Sequence, residues 1–117
     1  MVRVLVQDVG ERNLVLLSAD LGEPPPGGGE TLYRTMLEAN NLFSGTTGAT
    51  LALDPASGRC RLQKYEQSDE FANEAGSRLE VFIDTALNWS RMIADYRPQV
   101  AEEQVAEEGY AGSLMQV

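Results

Sequence analysis

Histidine is absent from this 117-residue chain, and cysteine occurs once, as Cys60. Without histidine the chain lacks the commonest general base, nucleophile partner and metal ligand. With one cysteine it forms no internal disulfide, a pattern compatible with a reducing cytosol. Basic residues are scarce too: nine Lys and Arg stand against eighteen Asp and Glu, a formal net charge of −9. Neutralising phosphates takes a Lys/Arg patch, so a nucleic-acid interface is excluded, as is attraction to an anionic membrane surface. No apolar run approaches the roughly 20 residues of a membrane span. The opening MVRVLVQDVGER has no charged start followed by a continuous apolar stretch, so it reads as a strand rather than a signal peptide. What remains is a soluble, acidic chain suited to holding a basic or aggregation-prone partner in solution. Its length fits one domain that buries roughly two-thirds of the surface of the unfolded chain.

Residues 2–8 alternate, with Val2, Val4 and Val6 on one face and Arg3 and Gln7 on the other, which predicts a half-buried strand. A polar turn with Gly10 leads to an apolar strand at 14–19, LVLLSA, and the two form an antiparallel hairpin. GEPPPGGG, residues 22–29, reads as a surface loop and lacks the Gly-Lys-Ser/Thr ending of a P-loop. Leu32, Met36, Ala39 and Phe43, widened by Tyr33 and Leu37, predict a helix over 30–43 that serves a core and an interface together, closed by Ser44-Gly45. Strands at 49–53 and 59–66 flank the turn Asp54-Pro55-Ala56-Ser57-Gly58, with Cys60 and Leu62 on the apolar face of the second. Residues 67–78 read as polar and irregular; Ser77 and Glu80 make a capping box, with a helix start near Asn73 as the alternative. A long helix follows at 79–97, with Leu79, Phe82, Ile83, Ala86, Ser90 and Ile93 on one face, Trp89, Met92 and Tyr96 flanking it, and Pro98 stopping it. The expected fold is a two-layer α+β domain over residues 1–98, in the order β-β-α-β-β-α with a mostly antiparallel sheet. Residues 99–117 form an acidic, flexible tail whose Tyr110, Leu114 and Met115 are candidates to dock on a neighbour.

The carboxylates make no tight acid pair or metal-ligand motif. Asp8, Asp20 and Asp54 sit at strand ends, where Asp is a common turn residue, and Glu102, Glu103, Glu107 and Glu108 are a solvated charge run. Ser18, Ser44 and Ser57 have no histidine to activate them. Cys60 lies on an apolar face with no activating partner and reads as a packed, inert thiol. The expectation is a protein that is not an enzyme and uses no metal and no cofactor.

The stretch LEANNLF, followed by SGTTGATLALDPASG, resembles the class I type III secretion chaperones, the Tir chaperone family. Those proteins share a helix with an Asn-Leu pair, a short Gly-rich corner and a strand closing at an Asp-x-x-x-Gly turn. LVLLSADLGEPPP is similar to the family's central strand and proline-bearing loop, and the helix with Phe82, Ala86 and Trp89 to its last helix. The resemblance runs over residues 2–97. It implies a small, acidic, cytoplasmic homodimer that binds the N-terminal region of a secreted effector as an extended segment and keeps it soluble and secretion-competent. It places the dimer interface at Leu32, Met36, Leu37, Ala39, Asn40 and Phe43, with Thr50 and Ala52 on the adjoining strand. The family normally opens with an amphipathic helix and a further strand, some 30 residues at ordinary element lengths, with no counterpart here. The expectation is therefore an exposed apolar sheet face near Val2, Val4, Leu14 and Leu16 that an effector or another element fills. The alternative reading is a small dimeric regulatory or ligand-binding domain of the same shape.

Overall fold

The computed structural model describes residues 2–27 and 29–97. Four antiparallel strands, β1 (Val4–Val9), β2 (Leu14–Gly22), β3 (Thr50–Leu53) and β4 (Cys60–Gln67), form one sheet in the order β1-β2-β4-β3. Helices α1 (Gly29–Asn40) and α2 (Ser68–Asp95) complete the expected β-β-α-β-β-α sequence. Among the described residues no helix is long and apolar enough to cross a membrane. The tail at 99–117 lies outside the described residues.

The first hairpin turns through a 3-10 segment, Gly10–Arg12, and Asn13 in the left-handed region at φ 55°, a conformation Asn tolerates better than most residues. The carbonyl of Asn13 then accepts from the Ser68 N–H at 2.9 Å, tying the hairpin to the start of α2. Strand register assigns every side chain to a face, because directly opposed residues point the same way. Val4 opposes Ala19, Ala19 opposes Leu62, and Leu62 opposes Leu51. That face meets the helices. Leu17, Ala19, Leu21, Leu51, Cys60 and Leu62 bury there against Leu32 and Met36 of α1 and Phe82, Ala86, Trp89 and Ile93 of α2.

The helices differ from expectation in three respects. First, α2 begins at Ser68, so residues 68–78 are helical rather than irregular. Asp69 and Glu70 sit in its first turn, where negative charge favours a helix start, and Phe71 packs against the core. Ser77 is therefore inside the helix, its hydroxyl donating to the Glu74 carbonyl at 3.2 Å, and caps nothing. Only a departure from helical angles at Glu74, φ −128°, marks the junction. Second, the buried face of α2 is Phe82, Thr85, Ala86, Trp89 and Ile93, with Ile83 and Met92 exposed. Third, α1 stops at Asn40, and a 3-10 turn at Asn41–Phe43 carries left-handed Leu42 and Phe43.

Gly45 does not supply the left-handed residue expected of it. Its role is close approach: a Cβ there would lie 2.7 Å from that of Ala39, and its N–H donates to the Ala39 carbonyl at 3.0 Å. The corner is then fastened to α2. The Trp89 indole donates to the Gly45 carbonyl at 2.9 Å, and the Thr47 and Thr85 hydroxyls bond at 2.6 Å.

Glu66 fastens the other end. Its side chain is 3% exposed and takes Lys64 of β4 at 3.0 Å and Arg78 of α2, which also reaches Glu70 and Glu74. Burial pushes the Glu66 carboxyl up, but hydrogen bonds from Lys64 and Arg78, reinforced by their charges, hold it below its ordinary value near 4.5. A depressed carboxyl contributes stability above its unfolded value and loses it as pH falls through the folded one. Replacing Glu66 with Gln is expected to cost about 1–3 kcal/mol near neutral pH. In denaturant titrations the gap between wild type and variant should stay constant above about pH 5 and narrow below that.

Candidate protein-binding surfaces

Two helices cover one face of the sheet, and two apolar surfaces remain outside the core. The first lies along α1 and β3. A groove of about 280 Å³ is lined by Tyr33, Met36, Leu37, Asn40, Leu51, Ala52 and Leu53. Leu37 is 69% exposed at its rim and Leu42, just past the helix, 88% exposed. The left-handed turn explains Leu42: the chain leaves the helix axis at Asn40, so the next apolar residues point away from the core.

The second surface is the sheet face turned away from the helices. Register puts Leu5, Leu14, Leu16 and Tyr65 on it, opposite to Val4, Leu17 and Leu62. Leu5 is 50% exposed and Tyr65 55%. A groove of about 310 Å³ runs here between Leu16, Phe43, Gly48, Thr50, Gln63, Lys64 and Tyr65.

These surfaces redistribute the residues singled out from sequence. Leu37, Asn40 and Ala52 come together around the first groove. Leu32 is fully buried and Met36 nearly so, because α1 packs on β3 with these two side chains turned into the core cluster rather than outward; they belong chiefly to the chain's own core. Ala39 is half-buried against that core and against Gly45. Phe43 and Thr50, grouped by sequence with α1, instead line the sheet-face groove beside Leu16. The expected exposed quartet divides. Leu14 and Leu16 lie on the open face, whereas Val2 and Val4 pack against the core on the helix side. A hairpin opposes residues whose numbers share a fixed sum, here 23, so even-numbered positions of β1 meet odd-numbered ones of β2. Leu5, Leu42, Leu53 and Tyr65 were missed. Leu5 alone had a signal, as the apolar residue that breaks the alternation of β1.

Cys60 is fully buried, and burial pushes its thiol up, away from the reactive thiolate. Asp20 is held low, first by the hydrogen bond from Arg59 at 2.8 Å and next against the opposing effect of burial. Both side chains of the pair are well exposed, so it adds little stability. Among the described residues no group of three or more His, Cys, Asp or Glu is placed to hold a metal ion.

The model of the Tir chaperone protein (CesT) family matches residues 2–90. The chain belongs to that family. No curated protein matches it in sequence. Three solved structures share the Tir chaperone fold seen here. A chain of the ExsC–ExsE complex superposes with TM-score 0.65 at 21% identity, over 80% of this chain and 69% of its own. One from the HopA1–SchA chaperone–effector complex gives 0.62 at 18%, over 82% and 70%. One from the heterodimeric ExoU–SpcU complex of the type III secretion system of Pseudomonas aeruginosa gives 0.50 at 22%, over 82% and 84%. At these identities the likeness is one of fold.

The division of α1 into core and surface residues is measurable. Leu32→Ala is expected to destabilise by about 2–5 kcal/mol, and Leu37→Ala by no more than about 0.5 kcal/mol, in chemical denaturation at a concentration where each variant's association state is known.

Proposed function

We propose that this Tir chaperone family member binds an extended segment from the N-terminal region of a secreted effector and keeps it soluble and competent for type III secretion. The observation that carries the reading is a groove walled by Leu16, Phe43 and Tyr65 on a sheet face uncovered by either helix, in a chain whose family model spans most of its length. Monomeric proteins rarely leave such a face bare. The groove beside Leu16, Phe43 and Tyr65 takes apolar anchors of the effector, with Leu5 and Leu14 extending the contact. Val2 and Val4 act from the other side of β1, supporting that strand. The chain's net charge of −9 suits a basic effector segment and speeds encounter more than it adds affinity.

The working unit is a homodimer in the cytoplasm. Its contact lies on the α1–β3 surface, through Leu37, Leu42, Ala52 and Leu53 around the groove that Asn40 and Met36 line. The role needs no catalysis, no cofactor, no nucleic acid and no membrane.

Pull-down of the tagged chain from its native bacterium, with mass spectrometry and light scattering, tests this. One secreted protein held through its N-terminal region by two copies of the chain is expected. A transcription regulator in its place would establish a regulatory domain instead. Tyr65→Asp and Leu16→Asp should each weaken capture at least tenfold while leaving the dimer intact. Leu37→Asp combined with Leu42→Asp should yield monomers by light scattering.

A further inference from the structure

Asn40 closes α1, and its carboxamide reaches the middle of β3. Its Nδ2 donates to the Leu51 carbonyl at 3.0 Å, and its Oδ1 accepts from the Leu51 N–H at 2.8 Å. A primary amide offers one acceptor and donors in nearly the arrangement of a peptide group. At Leu51, Asn40 therefore stands where a neighbouring strand would stand.

The strand's direction makes this position decisive. The Asp54 N–H donates to the Arg59 carbonyl at 2.9 Å, so the backbone groups of Asp54 face β4. Alternation gives the same direction to Ala52 and Thr50, which oppose Arg61 and Gln63. Leu51 and Leu53 then point their N–H and C=O groups away from the sheet. β3 is the last strand of the sheet and has four residues. With Leu51 occupied, an incoming strand finds only Leu53, next to the turn.

We infer that Asn40 is an edge guard: it occupies the outward hydrogen-bonding position of β3, so no second copy and no extended partner segment joins the sheet at this edge. Whatever seats on the α1–β3 surface packs by side chains and leaves the sheet at four strands there. Unprotected sheet edges template association, and proteins usually block them with charges, prolines, bulges or covering elements. β3, TLAL, has no charge and no proline of its own. The guard comes from the helix instead.

The inference does not depend on the chaperone reading, and its test needs no effector. In the full chain, Asn40→Leu removes both hydrogen bonds at similar volume. Amide exchange at Leu51, followed by NMR in dilute solution, is expected to quicken about tenfold or more. Light scattering at rising concentration is expected to reveal species larger than wild type forms. Unchanged exchange at Leu51, with wild-type size at every concentration, would overturn the proposal. Near-ultraviolet dichroism of Trp89 reports whether the fold survives. Should it not, Asn40→Asp decides, since its carboxylate still accepts from the Leu51 N–H but offers no donor to the carbonyl. Leu51 should then keep its protection, and fast exchange there in a folded Asn40→Asp chain would overturn the idea equally.

Discussion

Everything outside the core follows from one constraint: two helices cover one face of a four-stranded sheet. The helix-side face is complete, with Leu17, Ala19, Cys60 and Leu62 shut off from solvent by α1 and α2. The other face has apolar residues, and among the described residues neither helix lies over it. A sheet this size gains most of its stability from one buried face, so the second is free to serve another protein. The same constraint explains why a chain this small can carry a second apolar surface without losing its fold. Helix-side and open-face residues alternate along the same strands, Val4 beside Leu5 and Leu16 beside Leu17.

Covering one face demands that the helices be held at both ends, and the chain does this with polar groups. Trp89 and Thr85 grip the corner after α1 through Gly45 and Thr47. At the other end Glu66 joins β4 to α2 through Lys64 and Arg78. A buried carboxylate is unfavourable alone, and two cations make it tolerable. These contacts fix where α2 lies, while the apolar contacts supply most of the stabilisation.

The β-β-α-β-β-α order was legible because each element carried its own period and each turn its own chemistry, from Asp54-Pro55 to the proline-bearing loop. The start of α2 was not. Its first turns are polar, and what supports them includes core packing of Phe71 and the ion pair of Arg78 with Glu66 of β4, both contacts with distant segments. Phe43 reaches the open-face groove through a left-handed turn at Leu42 and Phe43 that no periodicity encodes, and Thr50 through its register opposite Gln63. Hydrophobicity sets Val2 and Val4 beside Leu14 and Leu16, but it does not distinguish the two faces of a hairpin.

By itself, then, the sequence determined the fold class, the family and the absence of histidine chemistry, since these depend on local pattern and composition. Tertiary structure alone decided which apolar residues became core and which became surface. Strand register and the rotation of each helix settle that, and both are properties of how distant segments pair.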